Sequence, residues 1–405
     1  MKITKNILIF AIQIPAFILY PNITFIFSLI LLPFIKIKPK YFYFIISFSI
    51  FYLAYLTSLK EISGTGNDFY NYYYNIVNNS YPPFLESFTD SLYWYVSNTI
   101  FNLLDSPSHK LFFFIISLIS LIPFIFLFSY IEKISSTELA IYSFAFFMLF
   151  FISSLSFWNL YGNYIRQAWA FSYSILTFLF IVNKRYVLAL TISAPIALLS
   201  HSSGFFIIFS ICIPLFFNNN LNFIFIKILS LLLILLIYFF PPLNYIEQIL
   251  PYYVISKINF YINWTGSNFG NIAITRLTIM FLFLYVIDLY IKPTIENLKL
   301  YLINKKILSS YILLFIISLT MTPIPKIIER TYYPALILAY IYLSITIAAK
   351  WNYHVKLEKI IFIILFPMLI SLMFFSFYKT IYYNPYHFSG SLNKFLFYQM
   401  VNLNE

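Results

Sequence analysis

The chain has 405 residues, 61% hydrophobic and 9% charged, with a net charge of +12 and a mean hydropathy of +0.85. Apolar runs of about 15 to 20 residues recur along it, and a run of about 20 crosses a hydrocarbon core, which excludes a soluble domain. The basic balance does not point to nucleic acid, because the lysines sit in the joints between apolar runs, as membrane topology demands. The one cysteine, Cys212, provides neither an intramolecular disulfide nor a metal cluster.

In chain order, "MKITKNILIFAIQIPAFILYP" has the basic start and apolar body of a signal peptide but no small-residue cleavage site. It predicts a first membrane helix. Apolar runs and the turn residues between them predict spans at 6–20, 22–35, 41–59, 111–130, 139–157, 163–182, 186–200, 204–217, 222–240, 272–291, 307–322, 331–349 and 360–378. The expected fold is an all-α polytopic integral membrane protein of about thirteen helices, forming one membrane domain over 1–405. Two polar segments, 60–110 and 241–271, are long enough to fold outside the membrane. In the first, "SLYWYVSNTIFNLL" has apolar residues at helical spacing and predicts an amphipathic helix on the membrane surface.

A cytoplasmic N-terminus places Lys60, Lys110, Arg166, Lys257, Arg276, Lys326, Arg330, Lys379 and Lys394 outside, and the other sixteen of the 25 Lys and Arg residues inside. The bias favours that orientation. Arg is used only at Arg166, Arg185, Arg276 and Arg330, and three of these four fall on the outer side, against the trend.

Arg166 lies about one turn inside the outer end of "NYIRQAWAFSYSILTFLFIV". Arg276 in "NIAITRLTIMFLFLY" and Arg330 in "TPIPKIIERTYYPALILAY" sit at the same depth. Snorkelling to the head groups is one reading of each. An Arg facing the bundle interior costs about 2–3 kcal/mol on insertion scales and calls for an anionic partner. Snorkelling does not explain Arg in place of Lys in so Lys-rich a chain, whereas a guanidinium fork binds phosphate bidentately. Arg166, Arg276 and Arg330 therefore predict a pyrophosphate site near the outer leaflet, with Asn163 and Gln167 as supporting polar groups.

His201, in "LLSHSSGFF", marks the outer tip of a helical hairpin. It is either a polar turn residue or a proton-transfer group, with hydroxyls and a flexible glycine beside it. Asp68, in "GTGNDFYNYYY", is either an Asx turn or a carboxylate acting as base or holding an Arg. Glu329, between Lys326 and Arg330, forms a local ion pair in its simplest reading, and Asp288 at the cytoplasmic end is read as structural. The outer Tyr and Trp residues suit an aromatic belt, or stacking on sugar rings. The sequence has no Gly-rich phosphate loop, no Cys/His metal spacing and no Asp-x-Asp motif, so neither a metal nor another cofactor is expected.

Four stretches share an order and a sidedness: "GTGNDFYNYY", "NYIRQAWAFS" with its Asn-x-x-Arg-Gln-x-x-Ala spacing, "LLSHSSGFF" and "ERTYYPAL". Together, over residues 60 to 340, they resemble the EpsG-like, Wzy-type membrane polymerases of bacterial surface polysaccharides. Arg276 matches by topology only. The resemblance implies a GT-C-like helical fold in the bacterial inner membrane. It implies a metal-independent glycosyltransferase for O-antigen, capsule or exopolysaccharide, using undecaprenyl-pyrophosphate-linked oligosaccharides at the outer face. Arg166, His201 and Asp68 would be catalytic, with His201 favoured ahead of Asp68 as the base or sugar-orienting residue, and a chain-length regulator is an implied partner. Two competing readings are a lipid-linked oligosaccharide flippase, whose charges belong near the midplane on broken helices, and an O-antigen-ligase-like transferase, which shares the arginines. A surface acyltransferase would not need three outward arginines.

Overall fold

The computed structural model describes residues 19–34, 37–60, 68–80, 91–216, 267–290, 298–320 and 325–352, and no strand occurs among them. The helices are α1 (Pro21–Leu31), α2 (Phe42–Ser58), α3 (Asp68–Val77), α4 (Ser91–Leu103), α5 (His109–Ile134), α6 (Thr137–Ile152) and α7 (Leu155–Leu160). They continue with α8 (Ile165–Val182), α9 (Tyr186–Ser200), α10 (Gly204–Cys212), α11 (Ser267–Tyr290), α12 (Leu298–Thr320) and α13 (Pro325–Asn352). Among the described residues, five helical stretches are long and apolar enough to cross a membrane: Pro39–Ser58, His109–Ile134, Ile165–Val182, Leu298–Leu319 and Arg330–Ala349. Pro21–Leu31, Thr137–Ile152, Tyr186–Ser200 and Gly204–Phe216 are shorter apolar helices. The spans expected at 222–240 and 360–378, the one at 6–20 except for residues 19 and 20, and the second outer segment up to residue 266 lie outside the described residues.

Burial sets the order of the bundle. The apolar windows of α13 and α8 are 89% and 72% buried, so these two helices form its interior. α13 packs against α6, α11 and α12, and α8 against α5, α9 and α10. α6 is buried on every side from Leu139 to Ile152, as expected of a helix that is apolar all round. At the predicted inner end, Asp288 on α11 pairs with Lys305 on α12 and accepts a 3.1 Å hydrogen bond from the Tyr342 hydroxyl on α13. One carboxylate thus ties three helices together.

Two predicted spans are interrupted. The run at 139–157 stops at Ile152, where the Ser153 hydroxyl bonds back to the Leu149 carbonyl. Ser154 then caps α7 by accepting the Phe157 N–H at 3.3 Å, since serine side chains compete with the helical ladder. In α9 the segment Ala189–Ser193 is a π turn, with the Ala194 N–H bonded to the Ala189 carbonyl. Pro195 follows at once, and its ring would meet the Thr191 carbonyl in a straight α-helix.

The predicted amphipathic helix of the first outer segment is present as α4. Its inner face, with Tyr93, Trp94, Ser97 and Phe101 buried, rests on the protein. α4 lies against α3, α5 and α9, and the Tyr93 and Trp169 rings meet edge-on with centroids 5.6 Å apart. This face of the helix meets protein, because its aromatic rings find partners on the bundle itself.

Candidate functional site

The site starts from a missing donor. In an α-helix the N–H of residue 334 would bond the carbonyl of residue 330, but residue 334 is a proline inside α13. The Arg330 carbonyl therefore lacks the α-helical partner that residue 334 would supply. Gln167, 1% exposed on α8, fills the gap: its Nε2 amide donates to that carbonyl. The second residue of the "RQ" pair on α8 is thus fixed to the backbone of the arginine on α13.

The Arg330 side chain runs to the tip of the α9–α10 hairpin. One terminal nitrogen lies 2.7 Å from His201 Nε2 and 3.2 Å from the Ser202 hydroxyl. A guanidinium only donates, so His201 Nε2 must offer its lone pair. The ring is then neutral, with its proton on Nδ1, which donates to the Ser203 hydroxyl at 2.8 Å. The Ser203 N–H also points at this nitrogen, 3.0 Å away. His201 is 6% exposed. Among the described residues nothing else pairs with the remaining N–H groups of Arg330, which is half-buried.

The hairpin that presents His201 depends on Gly204. A Cβ at this position would lie 2.1 Å from the Ala197 carbonyl oxygen. The glycine read as flexible is there for close packing.

Arg166 is the second residue of α8, so it sits in the first turn rather than one turn in. Its guanidinium lies over the Tyr72 ring at 4.8 Å and the Trp94 ring at 5.6 Å, within cation–π range. Both rings come from the helices of the first outer segment and are themselves in edge contact at 5.7 Å. Burial raises the neighbouring Tyr93 phenol well above its ordinary value, with a further push from Tyr72 and an opposing pull from Arg166. Arg276, exposed on α11, acts electrostatically on the Tyr332 hydroxyl, two residues beyond Arg330. Asn159 donates to the Tyr333 hydroxyl at 2.7 Å, a further link to α13.

The turn before α8 is held by Lys60, the residue that follows Leu59 at the outer end of α2. Its ammonium donates to the Gly162 carbonyl at 2.8 Å and to Asn163 Oδ1 at 3.1 Å, and the side chain is 2% exposed. The sequence placed Lys60 among the outer lysines and gave it no partner. The one hint otherwise is that it continues the apolar run "FYLAYLTSLK" without a break.

His201, Arg330 and Gln167 are therefore in one hydrogen-bonded chain, with Arg166 next to Gln167 in sequence. Arg276 reaches the same helix through a different residue. Asp68 opens α3 one turn before Tyr72, and its side chain, like those of Glu329 and Lys326, lies outside the described residues. Sequence reasoning missed Lys60, Tyr72, Trp94 and Pro334 as contributors.

A model of the EpsG family matches residues 59–388. The chain belongs to the EpsG family. No curated protein and no solved structure matches it. The matched region of this EpsG protein contains every residue of the site, from Lys60 to Arg330. Family membership and the membrane-length helices support a membrane protein with a polysaccharide-polymerase-like role on lipid-linked saccharide.

Proposed function

We propose that this EpsG protein joins undecaprenyl-pyrophosphate-linked oligosaccharide units at the outer face of the cytoplasmic membrane, without a metal. About thirteen spans in a GT-C-like arrangement, with the N-terminus inside, complete the reading. The observation that carries it is the Gln167–Arg330–His201 chain. It joins three motifs distant in sequence at one place, around a guanidinium whose further N–H groups have no partner among the described residues.

In the reaction, the acceptor sugar's hydroxyl oxygen attacks the anomeric carbon of the growing chain. The bond from that carbon to the pyrophosphate oxygen breaks, and the lipid pyrophosphate leaves with the electron pair. Arg166, Arg276 and Arg330 oppose the charge that develops on the leaving group, the place where fixed positive charge lowers a barrier most. The acceptor's proton goes to a general base. With the His201 lone pair turned to Arg330, we assign that proton to Asp68 and give His201 the task of positioning Arg330. A chain-length regulator is the partner this chemistry implies.

The test is deletion in the native strain, followed by extraction of surface polysaccharide. Single-unit caps in place of long chains are the expected result. Unlinked polymer would indicate a ligase, and loss of all outward-facing units a flippase; either overturns the proposal.

A further inference from the structure

Lys60 does more than tie two helices together. Lysine has three donors and no acceptor, so the Asn163 oxygen must be the atom that faces it, and the NH₂ of the same carboxamide is turned away. No protein hydrogen bond engages that NH₂ among the described residues, and Asn163 is half-buried. The turn itself is fixed: the Asn163 and Tyr164 N–H groups both bond the Asn159 carbonyl, at 3.0 and 2.8 Å. Lys60 holds the Gly162 carbonyl from the other side at 2.8 Å. Snorkelling does not account for a lysine that is 2% exposed with its ammonium on a backbone carbonyl. What the arrangement achieves is an oriented amide, three residues before Arg166, whose two N–H donors no described residue engages.

We propose that Asn163 is a substrate-binding residue whose NH₂ donates to a pyrophosphate oxygen of the lipid-linked substrate. Lys60 is the positioning residue that sets its orientation. The inference rests on the reading of Arg166 as a pyrophosphate ligand.

Asn163→Asp separates this role from a structural one. A carboxylate keeps the Lys60 contact and strengthens it, so a purely structural Asn163 predicts a stable, active variant. If the NH₂ meets phosphate, the same change puts a negative oxygen against the ligand. The assay is binding of radiolabelled undecaprenyl pyrophosphate to purified protein in lipid nanodiscs, with melting temperature measured alongside. The expected result for Asn163→Asp is an unchanged or higher melting temperature with binding weakened about tenfold or more, since hydrogen bonds to charged groups are the strong ones. Lys60→Met should weaken binding too, yet add little in an Asn163→Ala background, because it acts through the missing amide. If Lys60→Met does not fold, Asn163→Asp decides alone. Wild-type binding by Asn163→Asp overturns the proposal. Wild-type binding by Arg166→Lys as well would overturn the pyrophosphate reading beneath it.

Discussion

The link between Gln167 and the Arg330 carbonyl can be broken and repaired by two different residues. Gln167→Met keeps the length and volume of the side chain, so the cavity and overpacking terms stay small. What it removes is a donor to a part-buried carbonyl that Pro334 has already deprived of its usual α-helical N–H. An unsatisfied group of this kind costs about 1–3 kcal/mol. That converts to a factor of about 5 to 150 in the equilibrium between the correct and displaced arrangements, at about 1.4 kcal/mol per tenfold. Pro334→Ala supplies the N–H that an α-helix would have provided. The double variant Gln167→Met, Pro334→Ala should therefore recover at least half of the loss, while Gln167→Glu, which offers that carbonyl no donor, should fare worse than Met. The assays are thermal unfolding of the detergent-solubilised protein and polymer length in membranes supplied with lipid-linked units. Wild-type behaviour of Gln167→Met, or no recovery on adding Pro334→Ala, would refute the account of why these helices meet here.

Arg330→Lys should reduce polymerisation by about tenfold or more at normal protein level, because a point charge cannot hold His201 and Ser202 and still offer a fork to a ligand; unchanged chain length would return Arg330 to a snorkelling role. His201→Leu should shorten the polymer made in membranes supplied with lipid-linked units, since nothing then accepts from Arg330, and His201→Gln, which keeps an acceptor, should retain more of the wild-type length. Gly204→Ala should lower the melting temperature and the activity together, at a cost of about 1–3 kcal/mol or more, because its Cβ would press on the Ala197 carbonyl and open the hairpin that carries His201. Ser80→Cys, exposed just beyond α3, should react with an impermeant maleimide from outside the cell in a Cys212→Ala background; protection would invert the topology.

The helical class was legible because apolar runs carry it, and α2, α5, α8, α12 and α13 fall where those runs lie. The convergence of "RQ", "HSS" and "ERTYY" was also legible, through their order and side of the membrane. The means of convergence was not. That Pro334 empties a carbonyl four residues back is local and can be read from sequence, but that Gln167 fills it is a tertiary fact. The breaks at Ser153 and before Pro195 escaped a reading based on hydropathy, which registers greasiness and not hydrogen-bond competition. Lys60 was missed because lysines were counted as topology markers, and a marker is given no partner. The aromatic belt reading of Tyr72 and Trp94 gave way for a similar reason: their rings face a guanidinium that only the folded outer segment brings to them.

The two ends of the bundle treat charge differently, and this bears on what the arginines are for. At the predicted inner end, the cation Lys305 is matched by the carboxylate of Asp288, itself held by Tyr342. That is how a protein neutralises a charge it keeps only for structure. At the predicted outer end, the described partners of Arg330 are an imidazole and a hydroxyl. These groups fix where the guanidinium points, and no carboxylate among the described residues neutralises it. A cation kept at membrane depth is costly, the more so when its contacts orient it without compensating it. An arginine there for stability alone would gain from a carboxylate and lose nothing. An arginine that must meet an incoming pyrophosphate would be weakened by one, because the carboxylate would compete for the same N–H groups. Neutral partners are the solution that preorganises the donors while leaving the charge to the ligand, and that contrast between Lys305 and Arg330 supports reading the outer arginines as a binding site.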